Sequence, residues 1–165
     1  MPERVGDSDP VQALHDVAVL WEFGTVRAGS VIRAACDVVA ADIGGDDMLM
    51  LAARSIREPV GTFEFSAAAR SALLEVGRDL PALGSRELAE LAVRAMARRT
   101  VQGEVTGRDL ASWAHRHLGH GGIGIAQRLV ELDDAYDLAD GGVTADHEAD
   151  LDAAALAEAH ALASS

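Results

Sequence analysis

Apolar side chains recur at steps of three and four through most of this 165-residue chain, and a glycine or a helix-capping residue interrupts the rhythm at almost every point where a helix would end. Residues three and four apart lie on one face of a helix, whereas a half-buried strand alternates every second residue. Asp9 before Pro10 places a capping side chain ahead of a proline in the first turn. Val11, Leu14, Val17, Ala18 and Trp21 then form one stripe, and Gly24 stops it. The same reading predicts a second helix opened by Ser30, carrying Val31, Ile32, Ala35, Val38 and Val39, and closed by Gly44-Gly45. A short third follows, capped by Asp46 or Asp47, then a fourth over 66–76 ended by Gly77. Ser85 opens a fifth that Gly103 ends. Thr106, with Asp109 in the capping-box position, opens a sixth that stops at Gly119. A seventh covers 123–138, and Thr144 or Asp146 caps a last one through Leu151, Ala155, Leu156 and Leu162.

Pro59 breaks the pattern, since it lacks an N–H and disfavours helix at Glu58. The best strand candidate, 60–65, is short and contains Gly61. The expected fold is therefore all-α: a compact bundle of about seven or eight helices joined by glycine-rich corners. Residues 1–140 read as one helical domain, and 141–165 as an acidic, alanine-rich C-terminal helix or partly ordered tail. Gly24-Thr-Val26 and Gly103-Glu-Val105 each precede an incoming helix with an aliphatic residue and an alanine at matching offsets, 79 residues apart. Duplication of a helical hairpin would produce this echo, and so would convergent corner chemistry.

Charge narrows the functions open to such a bundle. The formal charge is −13, and residues 129–165 hold ten acids and no arginine. A phosphate backbone or an anionic membrane would be repelled by that surface, so neither nucleic acid nor membrane is the expected partner. The acidic block reads either as a solvated solubility tail or as a docking face for a basic protein. The chain has 14 arginines and no lysine or asparagine. Those two missing residues use adenine-rich codons, so genome composition explains the choice of arginine and no phosphate recognition follows from it.

Cys36 is the single cysteine, which excludes an intramolecular disulfide framework. Its apolar surroundings read as core. The polar start is unlike a signal peptide, and no apolar stretch approaches the roughly 18 residues needed to span a bilayer. A cytoplasmic bacterial protein is expected.

Three histidines crowd one segment, Trp113-Ala-His115-Arg-His117-Leu-Gly-His120. Projected at about 100° per residue, His117 and His120 share a face with Trp113, while His115 points almost oppositely. His117 and His120 could be completed by a carboxylate from the next helix, where Glu131, Asp133, Asp134 and Asp137 are available. Asp133 and Asp137, which share a face with Asp140, are the expected ligands of a two-His-carboxylate site suited to zinc or iron. The structural alternative is that both imidazoles cap the negative end of the sixth helix. The dipeptide His15-Asp16 resembles that of metal-dependent phosphohydrolases of the HD type. Those enzymes also use an earlier histidine, and none precedes His15. No activity is carried over from a dipeptide, and a half-exposed histidine beside a surface acid is expected. The acids from Asp146 onward miss calcium-loop spacing, with Leu151 where the turn needs glycine. No nucleophile elbow or lysine-terminated phosphate loop is present.

In the seventh helix, Leu129, Val130, Leu132 and Tyr136 would face inward, with Glu131, Asp134 and Asp137 outward. Tyr136, the only tyrosine, reads as core or as an interface anchor. The expected partner surface is Glu131, Asp133, Asp134, Tyr136, Asp137 and Asp140. The expected function is a non-enzymatic acidic helical protein that binds a basic protein, with no cofactor. Its composition resembles that of immunity proteins, antitoxins and regulators. The alternative is a metal-dependent hydrolase or oxygenase built on His117 and His120 with zinc or iron.

Overall fold

A computed structural model describes residues 9–55, 61–140 and 145–165, apart from the side chains of 140, 145 and 146. The expectations placed on Pro59, Val60 and Thr144, and on the Asp140 and Asp146 side chains, lie outside the described residues. Among the described residues the chain is all-α, with eight α-helices and no strand. They are α1 (Pro10–Glu22), α2 (Ala28–Ala40), α3 (Asp46–Ala52), α4 (Thr62–Glu75), α5 (Arg86–Val101), α6 (Gly107–Leu118), α7 (Gln127–Asp140) and α8 (Ala145–Ala163). A 3-10 turn, Gly124–Ala126, leads into α7. No helix among the described residues is long and apolar enough to cross a membrane.

The chain divides into two compact units, Met1–Leu83 and Gly84–Ser165. In the first, each of α1 to α4 packs on its chain neighbour and α4 returns to α1. The expected Asp9 cap forms, accepting from the Val11 N–H at 3.0 Å. Helix α2 starts at Ala28, ahead of Ser30, so Ser30 is a first-turn residue and not the cap; Arg27, in extended backbone, takes that position. Asp46 and Asp47 do not cap α3 either, since both lie inside it behind Gly45. The capping carboxylate comes instead from α4. Glu75 accepts from the N–H groups of Gly45, Asp47 and Met48 at 3.0, 3.0 and 2.9 Å. Those bonds, that from Asp47 above all, hold its carboxyl below the usual carboxylate range, because each stabilises the charged form. A donor cluster at a helix N-terminus is an anion site, and here the chain fills it with its own side chain.

Two further expectations fail in this unit. His15 and Asp16 are buried, and the imidazole Nε2 lies 3.2 Å from the Asp79 carbonyl. Cys36 is exposed: the stripe formed by Val31, Ile32, Ala35 and Val38 sets the phase of α2, and Cys36 falls outside it.

In the second unit, α5 packs on α6 and α8, α6 on α7 and α8, and α7 on α8. Ser85 caps α5 through the Leu88 N–H, and Thr106 caps α6 through the Asp109 N–H, both as expected. Helix α8 is a packed element. Leu151, Ala155, Ala159 and Leu162 are buried at helical spacing, and Leu151 and Ala155 share a cluster with Ala111, Leu132 and Tyr136. Each buried leucine contributes about 1.5–3 kcal/mol. Repulsion between like charges four apart, as at Glu148 and Asp152, costs about 0.2–0.5 kcal/mol, so packing decides the conformation.

The two Gly-x-Val corners share one geometry. Gly24 and Gly103 have φ of +65° and +77°. The following residues, Thr25 and Glu104, donate five residues back to Leu20 and Arg99. Helices α2 and α4 close with the same bonds at Asp42-Ile43 and Gly77-Arg78, where the Gly-x-Val pattern is missing. The geometry is thus that of a common helix exit, which the Gly-x-Val pattern is not needed to form.

Candidate functional site

The chemistry-bearing residues of the second unit meet where α6 turns into α7. Arg116 and the two histidines His115 and His117 end α6, where the partial negative charge of the helix terminus favours cations. Gly119 then takes φ +64°, and its N–H closes the last turn on the His115 carbonyl at 3.0 Å. This left-handed residue redirects the chain, so the projection that pairs His117 with His120 does not extend through it. His117 stays with the helix: its Nδ1 lies 2.9 Å from the Trp113 carbonyl oxygen and its ring stacks on Trp113. His120 instead folds back over His115, with ring centroids 4.8 Å apart at 75°.

Helix α7 supplies the acids. Asp133 Oδ2 is 2.9 Å from His115 Nδ1, and its side chain is 14% exposed. Asp134 lies between the two imidazoles, with Oδ1 3.7 Å from His115 Nδ1 and Oδ2 3.5 Å from His120 Nε2. One donor atom from each of His115, His120 and Asp134 lies within 4.8 Å of the others. Of the four residues expected to form a metal site, only His120 belongs to this group. Among the described residues, His117, Asp133 and Asp137 do not join it. Helical projection missed His115, and it favoured Asp133 and Asp137 over Asp134, which was among the available carboxylates.

The outward face of α7 is the second feature. Glu131 and Asp137 are exposed, Asp134 is half-buried, and Leu138 is 77% exposed. Glu131, Asp134 and Leu138, at i, i+3 and i+7, form one outward stripe. Leu129, Val130, Leu132 and Tyr136 are buried, as the periodicity requires. Tyr136 therefore cannot anchor a partner. It is 1% exposed, and its hydroxyl donates to Asp152 Oδ1 at 2.7 Å. Burial, with the Asp152 carboxylate next in weight, pushes the phenol far above its ordinary pKa and keeps it protonated. Asp133 is likewise withdrawn from the expected partner surface, since it is engaged by His115. On α8, Glu148, Asp150 and Asp152 are exposed. Two arginines reach the acidic block, Arg128 at Glu131 (3.4 Å) and Arg108 at Glu148 (3.8 Å).

The first unit holds a groove of about 550 Å³ beside Phe63, Ala67 and Leu83. The polar side chains of Glu22, Ser66 and Arg70 that line it are engaged within the protein. Arg70 reaches Glu22 at 3.2 Å and the Leu80 carbonyl at 2.6 Å, while Ser66 accepts from Trp21 Nε1 at 3.1 Å. Comparison with protein-family models, with curated proteins and with solved structures gives no match to this chain.

Proposed function

We propose that this chain is a non-enzymatic helical protein that binds a basic protein partner through the outward face of α7, with the exposed acids of α8 adding to the negative field, as immunity proteins, antitoxins and some regulators do. The observation that carries this reading is Leu138. It stands 77% exposed on the face that presents Glu131, Asp134 and Asp137. An apolar side chain beside carboxylates on one helix face suits a partner that brings arginine or lysine next to an apolar pocket. The like-signed field of the ten acids would steer such a partner, and salt would weaken the encounter. The two arginine contacts within the block join exposed side chains. Exposed pairs are worth about 0–1 kcal/mol each, which leaves their carboxylates open to exchange for a partner's cations.

The test is affinity capture from the native host with the intact chain, beside a Glu131→Arg/Asp137→Arg variant and a Leu138→Ala variant. A basic protein retained at low salt, released at high salt and lost with the charge-reversed variant supports the reading. Capture that is indifferent to both variants, or retention of acidic proteins alone, refutes it.

A further inference from the structure

We infer that His115, His120 and Asp134 form a binding site for one borderline transition-metal dication of the zinc type, with Asp133 as the residue that positions His115. The inference stands apart from the partner reading, since nothing in it requires a partner.

Three separate pieces of chain converge to make the group: the last turn of α6, the glycine corner after it, and the second turn of α7. The three donors lie within 4.8 Å of one another, and one pair already has the spacing of an ion's ligands. A tetrahedral zinc centre with ligands at 2.0–2.1 Å has edges of about 3.4 Å between ligand atoms. His120 Nε2 and Asp134 Oδ2 are 3.5 Å apart. That lies beyond the 2.7–2.9 Å of a charge-assisted hydrogen bond and close to such an edge. His115 Nδ1, by contrast, sits at a true hydrogen-bond distance of 2.9 Å from Asp133. An imidazole whose Nδ1–H is engaged by a carboxylate carries its lone pair on Nε2, and this carboxylate–histidine pairing is the support that metal-bound histidines use. Asp133, mostly buried, thus holds the ring at Nδ1, while Asp134 Oδ1 stands 3.7 Å from that same nitrogen, so the half-exposed Asp134 side chain turns toward Nε2 when an ion binds.

The donor set selects the ion. Two imidazoles and one carboxylate suit zinc, cobalt or iron, whereas calcium and magnesium require a shell of oxygens. Access is open, because the side chains of His115, Asp134 and His120 are 30%, 45% and 58% exposed. Three protein ligands leave a fourth position for water.

The test titrates the tag-free full chain, stripped with chelator, with zinc or cobalt(II) by calorimetry and visible absorption. One equivalent should bind, with the intense cobalt bands of a tetrahedral centre and no competition from millimolar calcium or magnesium. His120→Ala, a change at an exposed corner, should weaken binding at least about tenfold, and Asp133→Asn about 10–100-fold. Asp134→Asn should match His120→Ala, and His117→Ala should bind as the parent does. Circular dichroism checks that the variants keep their helix content, and His120→Ala decides the matter should a change on α7 disturb folding. The assignment is overturned by failure to saturate, by several equivalents binding equally, or by His117→Ala losing as much affinity as His120→Ala. The last two outcomes would mark surface histidines without a site.

Discussion

Gly107 opens α6 where that helix passes over α8, and a Cβ built on it would lie 2.7 Å from the Cβ of Ala155. Carbon atoms in ordinary contact sit about 3.5–4.0 Å apart, so alanine at this position demands a shift of roughly 1 Å. The neighbour cannot swing away. Ala155 has no rotatable side chain, is fully buried, and is backed by the Asp152 carbonyl, 3.6 Å from the same point. The backbone of α8 would have to move, at about 1–3 kcal/mol for overpacking a filled site. Gly→Ala in a helix otherwise stabilises by about 0.4–1 kcal/mol through the unfolded chain. The expected net for Gly107→Ala is a loss of about 1–2 kcal/mol, the reverse of the usual sign. Urea unfolding followed by Trp113 fluorescence, in a Trp21→Phe background, reports the second unit alone. Adding Ala155→Gly should recover part of the loss, since it removes the opposing methyl. If Gly107→Ala proves neutral or stabilising, the close approach of α6 and α8 is refuted.

Tyr136→Phe should cost about 1 kcal/mol, the net value of one hydrogen bond, because its acceptor Asp152 is exposed. Tyr136→Ala should cost about 3–5 kcal/mol by emptying a fully buried site. Denaturant midpoints within error of the parent for both would return Tyr136 to the surface. Glu75→Gln should lower the stability of the first unit near neutral pH. The Glu75 carboxyl is held below its unfolded value, so the unfolded chain binds the extra proton and stability rises with pH through that interval. The contribution is present above the ordinary carboxylate pKa and is lost as pH falls through the lowered one. Parent and Glu75→Gln should therefore converge in acid, and thermal melts that keep a constant gap from pH 6 to pH 2.5 would contradict the cap.

Helix class and most helix ends could be read from the sequence because they rest on local physics. Asp9, Ser85 and Thr106 act on N–H groups two or three residues away, and Gly24, Gly103 and Gly119 carry the backbone turns their positions require. The inward side of α7 was equally legible, since period alone decides which residues of one helix share a face. Misreadings arose where the partner lies far along the chain. Nothing near Asp46 announces that Glu75, nearly thirty residues on, will cap α3. The alternating acids after Asp146 give no hint that Leu151 and Ala155 dock against Tyr136 and Ala111.

The histidine corner shows the division most plainly. Sequence supplied the ingredients, three imidazoles beside an acidic helix. It could not choose among them, because helical phase ends at Gly119 and the direction of the chain beyond it is set by packing of α7 on α6. Local bonding therefore determined the helices and their ends. Tertiary packing decided that His115 and not His117 meets His120, that Tyr136 is core, and that Leu138 is left facing water, because those outcomes depend on contacts between segments that no local rule brings together.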